Sequence, residues 1–204
     1  MPIKELTDEI NSLRHEEAIS ERLAESAEAV VQATACIEVL EDTDLAIASY
    51  RASSSSDQGA RYLALYGVLQ ALQTQEDALE HLVRAFDKAV DFRTCFPTQE
   101  EKSLKDALIV RHRAVGHPTK GECKNRLRYY GISRLSIVRL PGSFDLIEWD
   151  KVHSPEAGVI PVSVADTIVA QTRTVEGVLR RVIESLRGLL VASPDTDDSQ
   201  QGSS

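Results

Sequence analysis

The sequence predicts a mainly α protein, an antiparallel helical bundle with a β-hairpin inserted before the last helix. Three observations lead there. Alanine, leucine and glutamate dominate the first ninety residues, a composition that favours helix over sheet. Apolar residues in the long segments recur at three- and four-residue steps, the repeat of one helix face. Between Leu127 and Trp149 β-branched and aromatic residues take over and the spacing shortens, before helical spacing returns beyond Pro161. At 204 residues the chain can bury one good core, so a single helical domain is expected over 1–191.

The N-terminal segment 1–52 reads as a helical arm, with one long helix or two in line over residues 3–41. Ile3, Leu6, Ile10 and Leu13, then Ala24, Ala27, Val31 and Thr34, follow a spacing near 3.5, broken at Glu17 and Ser20. Such a segment either forms a coiled-coil arm that holds a partner or packs on its own domain. Its formal charge from Met1 to Asp44 is −9, a poor surface for RNA. Asp44 to Ala52 continues as a short helix, and Ser53 to Ser56 interrupts it.

Core helices are expected over 57–118. Asp57 is placed to cap a long helix ending near Ala89, whose apolar stripe runs through Tyr62, Leu65, Val68, Leu69, Leu72, Leu79, Leu82, Val83 and Phe86. Asp91 to Pro97 reads as a loop. Thr98 and Glu101 have capping-box spacing for the next helix, which carries Leu104, Ala107, Leu108 and Val115 inward. Gly116 and Pro118 should end it. The hairpin spans 126–150, with Pro141-Gly142 as a turn and Trp149 as its anchor. A final helix over 161–191 begins at Pro161 and buries Ile168, Val175, Leu179, Val182, Ile183, Leu186 and Leu190. Residues 192–204 read as a disordered acidic tail.

Composition narrows the setting. The three cysteines, Cys36, Cys95 and Cys123, are odd in number and share no metal-ligand spacing. That argues against a disulfide framework and for a reduced, cytoplasmic protein. No apolar run approaches a membrane span.

Charge is divided sharply. Arg111 to Arg139 holds eight basic residues and one acidic residue, whereas the whole chain has a formal charge of −9. A local charge of +7 against a remainder of −16 marks a place for an anion, with phosphate the usual candidate. The patch opens with Arg111-His112-Arg113-Ala114-Val115-Gly116-His117-Pro118. On an ideal helix the six residues from Arg111 to His117 advance roughly 600°, about 120° from face alignment. Bringing them together needs the helix to unwind at Gly116 or a second subunit to complete the site. Arg113, four before His117, stacks with it more simply. Lys120, Lys124, Arg126, Arg128, Arg134 and Arg139 are interleaved with Tyr129 and Tyr130, a mixture suited to phosphates and unpaired bases. Against this stand plainer roles: Arg111 capping helix carbonyls, His117 closing a turn, and a charged hairpin edge resisting aggregation.

This arrangement resembles the HEPN superfamily, all-helical domains whose active members are ribonucleases with an Arg-polar-x4-His motif. The resemblance runs from about Asp57 to Leu190. It is sharpest in Arg111 to Thr119 and softer in Tyr66-Gly67-Val68-Leu69-Gln70-Ala71-Leu72 leading into Gln75-Glu76-Asp77-Ala78. The position after the arginine is often asparagine in that family and is His112 here. The resemblance implies metal-independent RNA cleavage, without a cofactor, in a cleft between two subunits of a homodimer. Arg111, His112 and His117 would be catalytic, His117 handling the proton and Arg111 the scissile phosphate. Arg113, Lys120, Lys124, Arg126, Arg128, Tyr129, Tyr130 and Arg134 would bind RNA. An antitoxin or regulatory protein is the partner such an enzyme would need. The alternative is a non-catalytic RNA- or nucleotide-binding or dimerisation module of the same fold, and a third reading is an interaction protein working through its acidic N-terminal helix.

Overall fold

The computed structural model describes residues 2–24, 26–86, 113–114, 121–123, 126–150 and 154–192. Five α-helices stand among them: α1 (Ile3–Leu13), α2 (Glu17–Ala24), α3 (Ala27–Ala52), α4 (Gln58–Ala85) and α5 (Val164–Ala192). A four-stranded antiparallel sheet precedes α5, in the order β1 (Gly121–Cys123), β2 (Arg126–Ile132), β3 (Ser143–Asp150), β4 (Ser154–Ser163). The chain is mainly α, as its composition and periodicity require. The loop expected at 91–97 and the helix begun by Thr98 and Glu101 lie outside the described residues, as does the tail expected at 192–204 apart from Ala192, which ends α5.

The long helix α4 follows its sequence closely. Asp57 Oδ1 accepts the Ala60 amide at 2.7 Å, which satisfies one of the donors left free at a helix start. Leu65, Val68, Leu69, Leu72, Leu79, Leu82, Val83 and Phe86 are all buried. On α5 the stripe from Ile168 to Leu186 is buried likewise.

The N-terminal segment differs from expectation. Three helices replace one or two, and α3 runs through Asp44 to Ala52 without interruption. The chain restarts at Ser26, whose Oγ accepts the Ala29 amide at 3.3 Å. A restart resets the helix face, so the spacing read from Ala24 to Thr34 loses its meaning. Val31 is 68% exposed, and the core side of α3 is instead Ala33, Cys36, Ile37, Leu40, Ile47 and Tyr50. Ile3, Leu6, Ile10, Ile19 and Leu23 pack into one cluster with α4 and α5, so α1 and α2 lie on their own domain.

The hairpin proves to be part of a larger sheet. The strand expected from Leu127 to Leu140 ends at Ile132, because the chain turns and winds a short 3-10 helix at Ile137–Arg139. Ser136 holds this connection: its Oγ donates to Ser133 O at 2.9 Å and accepts the Asp145 amide at 2.7 Å. Pro141-Gly142 does turn the chain. Pro161 does not start the last helix; it lies in β4, opposite Asp145. An edge strand tolerates a residue without an amide proton. Helix α5 begins three residues later, where Ser163 Oγ accepts the Asp166 amide at 3.1 Å.

Two apolar clusters organise the interior. One gathers α1, α2, the first half of α3 and the C-terminal parts of α4 and α5. The other joins the end of α3, the start of α4 and the start of α5 to the sheet through Tyr130, Ile137, Phe144, Leu146 and Val162. Between them runs a polar waist of Thr43, Gln75, Glu76, Gln171 and Thr174, all buried. Thr43 and Thr174 satisfy their hydroxyls on Val39 O and Ala170 O, and Gln171 Nε2 donates to Leu72 O at 3.2 Å. Beside them burial raises the Asp44 pKa; Arg51 opposes that shift and Glu176 adds to it. Gln75 is fully buried, and neither its amide nitrogen nor its oxygen is hydrogen-bonded. An apolar side chain of similar shape removes that desolvation cost. Gln75→Met is therefore expected to raise the unfolding free energy by about 1–2 kcal/mol in urea titration. A loss of similar size would instead reveal a bound water holding the amide.

Candidate functional site

The segment Arg111 to Thr119 meets the described structure at two residues. Ala114 is 2% exposed and belongs to the sheet-side cluster with Tyr130. Next to it the Arg113 guanidinium carbon lies 5.2 Å from the Tyr130 ring centroid, within reach of a cation–π attraction. Those two contacts seat Arg113 and Ala114 against the inner face of β2. Arg111, His112, His117, Lys120 and Lys124 lie outside the described residues.

Strand β2 carries Arg126, Arg128 and Tyr129 in register with known neighbours. Arg126 is opposite Cys123, Arg128 opposite Gly121 on one side and Asp150 on the other, and Tyr129 opposite Trp149. From Arg126 to Arg139 the chain holds four arginines and no acidic residue. Arg139 pairs with Asp145, so part of this charge is spent within the fold. Arg134 is exposed and lies near Tyr62, where its charge opposes the upward pKa shift caused by burial of the phenol; Tyr66 adds to that shift.

Tyr130 departs from the role its sequence suggests. Its ring is 7% exposed and covered by Arg113, so it is a core side chain rather than a face for a base. Trp149 is the aromatic that sequence reasoning passed over as a hairpin anchor. It does anchor: a Cβ built at Gly131 would come within 3.1 Å of its ring. Yet the indole is also 43% exposed. A glycine inside a β-branched and aromatic strand was the available signal, since it marks a close approach by another group.

Other chemistry is sparse among the described residues. No group of three or more His, Cys, Asp or Glu is arranged to hold a metal ion there. Between α3 and α4 an open groove of about 310 Å³ is lined in part by Cys36, Val39, Ala78 and His81. Cys36 is buried, and burial pushes its thiol pKa up, which keeps the sulfur protonated and a poor nucleophile. No described helix is long and apolar enough to cross a membrane.

What these features define is a class by architecture: a helical bundle with an antiparallel sheet inserted before its last helix. No family model, curated protein or solved structure matches the chain.

Proposed function

We propose that this chain is an HEPN-type, metal-independent endoribonuclease that cleaves RNA at a composite site between two subunits, using Arg111 and His117. The observation that supports it is the seating of Ala114 and Arg113, two residues of the motif, against Tyr130 on the strand that also bears Arg126 and Arg128.

In this reading His117 takes the proton of the ribose 2′-hydroxyl as its oxygen attacks phosphorus, or returns one to the departing 5′-oxygen. Histidine suits both steps because it titrates near neutrality. Arg111 holds the non-bridging oxygens through paired hydrogen bonds and stabilises the charge that builds there. His112 orients either group or binds phosphate. The protein works as a cytoplasmic homodimer, held in check by an antitoxin or regulatory protein.

The reading is tested by cleavage of RNA in EDTA, lost on replacement of Arg111 or His117. Binding gives a second test. Arg128→Glu is expected to weaken RNA binding and to flatten the dependence of log K on log salt by about 0.7 or more, the share of one phosphate contact on a single strand. An unchanged slope removes β2 from the RNA surface. One observation favours a second reading, a non-catalytic binding module of the same fold: Arg113, a residue of the motif, is engaged on Tyr130 in a structural contact.

A further inference from the structure

Helices α3 and α4 pack side by side, yet a groove of about 310 Å³ stays open between them. Every residue that lines it belongs to one of these two helices. Its apolar wall is Ala35, Cys36, Val39 and Ala78. The alanines leave the gap, because neither carries a side chain long enough to fill it. Val31, one turn before Ala35, is 68% exposed, so an apolar stripe of Val31, Ala35 and Val39 runs along this side of α3. From Gln32 to Val39 the groove follows α3 for about 10 Å, roughly two helical turns.

The rim carries negative charge. On α3, Glu28, Glu38 and Asp42 are exposed and stand three or four residues from Gln32, Ala35 and Val39, which line the groove. From Ala27 to Tyr50 that helix holds five acidic residues and no basic one. On α4, Asp77 lines the groove and is exposed, and Glu80 follows three residues later. Arg84 meets Glu80 at 3.4 Å and offsets that carboxylate. The rest of this rim remains negative.

We propose that the groove binds the apolar face of a basic amphipathic helix presented by another protein. An open groove about two turns long, walled by small side chains, takes apolar anchors at i, i+3, i+4 and i+7 of an incoming helix. Carboxylates along both lips would face the lysines and arginines beside those anchors, which selects a cationic partner. The same charge repels nucleic acid and anionic lipid. The inference does not rest on the ribonuclease reading, since the groove shares no residue with the Arg111 to His117 motif or with β2.

The probe is a labelled helical peptide with leucines at i, i+3, i+4 and i+7 and lysines on its other face. Its controls are a scrambled peptide of the same composition and a version with glutamate in place of lysine. Anisotropy is expected to show binding of the first peptide alone, weakening as salt is added. Ala35→Arg, at an exposed position, should weaken binding by about 10-fold or more, as loss of an anchor pocket does, and should unfold as the wild type does. Asp42→Lys combined with Asp77→Lys should weaken it as well and flatten its salt dependence. Equal binding of the scrambled peptide, or by Ala35→Arg, would mean general adhesion of cations to an acidic surface and overturns the proposal. So does equal binding of the glutamate version, which removes charge as the selector, and so does no binding of the lysine peptide. A dimer by light scattering that Ala35→Arg dissociates assigns the groove to a second copy of this chain and overturns it too.

Discussion

Phe144→Ala is expected to lower the unfolding free energy by about 3–5 kcal/mol, the cost of emptying a large aromatic site in a packed core. Phe144 is fully buried on the inner face of β3, opposite Val162, in the cluster that binds the sheet to α3, α4 and α5. The hole would open in the cluster that also holds Tyr130 and Ala114. Loss of stability should therefore come with loss of RNA binding at temperatures where the helices still hold. Urea titration followed by far-UV circular dichroism gives the first quantity and anisotropy of labelled RNA the second. Val138→Ala is the matched control, because Val138 is 67% exposed and its truncation should cost little. Equal stabilities for Phe144→Ala and wild type would mean that the sheet does not share the core.

His117→Ala is expected to reduce RNA cleavage by about 10²- to 10⁴-fold, the usual contribution of a positioned acid or base. Arg111→Ala should cost about 10²- to 10³-fold, in line with removal of one donor to a developing oxyanion. Both should unfold as the wild type does, since neither effect depends on packing. The two roles separate further by pH. Cleavage that needs His117 in one protonation state should fall away on one side of neutrality, and Arg111→Ala should keep that profile at a lower rate.

Local information made much of the helical frame legible. In α4 the cap at Asp57 and the stripe from Leu65 to Phe86 are written within one helix, and spacing alone recovers them. The breaks at 14–16 and at Ser26 were harder to see. Charged and small residues around them fit a helix interior as well as a boundary, and what decides is how α1 and α2 fold back on α3 and α5. Strand β4 was hidden for a related reason. His153 to Ser163 holds two prolines and a glycine, which read as loop, and only pairing with β3 makes an edge strand of it.

The candidate site was legible in charge and motif but not in orientation. Adjacent tyrosines in a strand project to opposite faces, so Tyr129 and Tyr130 could not both serve as platforms. Which face is core depends on the register of β2 with β3 and on the docking of Arg113 and Ala114, contacts made across long stretches of sequence. That buried Tyr130, and it left Trp149 in view. The acidic charge of the N-terminal helices and the basic run after Arg111 are features of the sequence alone.

The most direct measurement is cleavage of an end-labelled RNA pool in EDTA by purified wild type, Arg111→Ala and His117→Ala, prepared identically. The account predicts products ending in 2′,3′-cyclic phosphate from the wild type and from neither variant. Cleavage retained in His117→Ala, or a folded, RNA-binding wild type that leaves the pool intact, would contradict it.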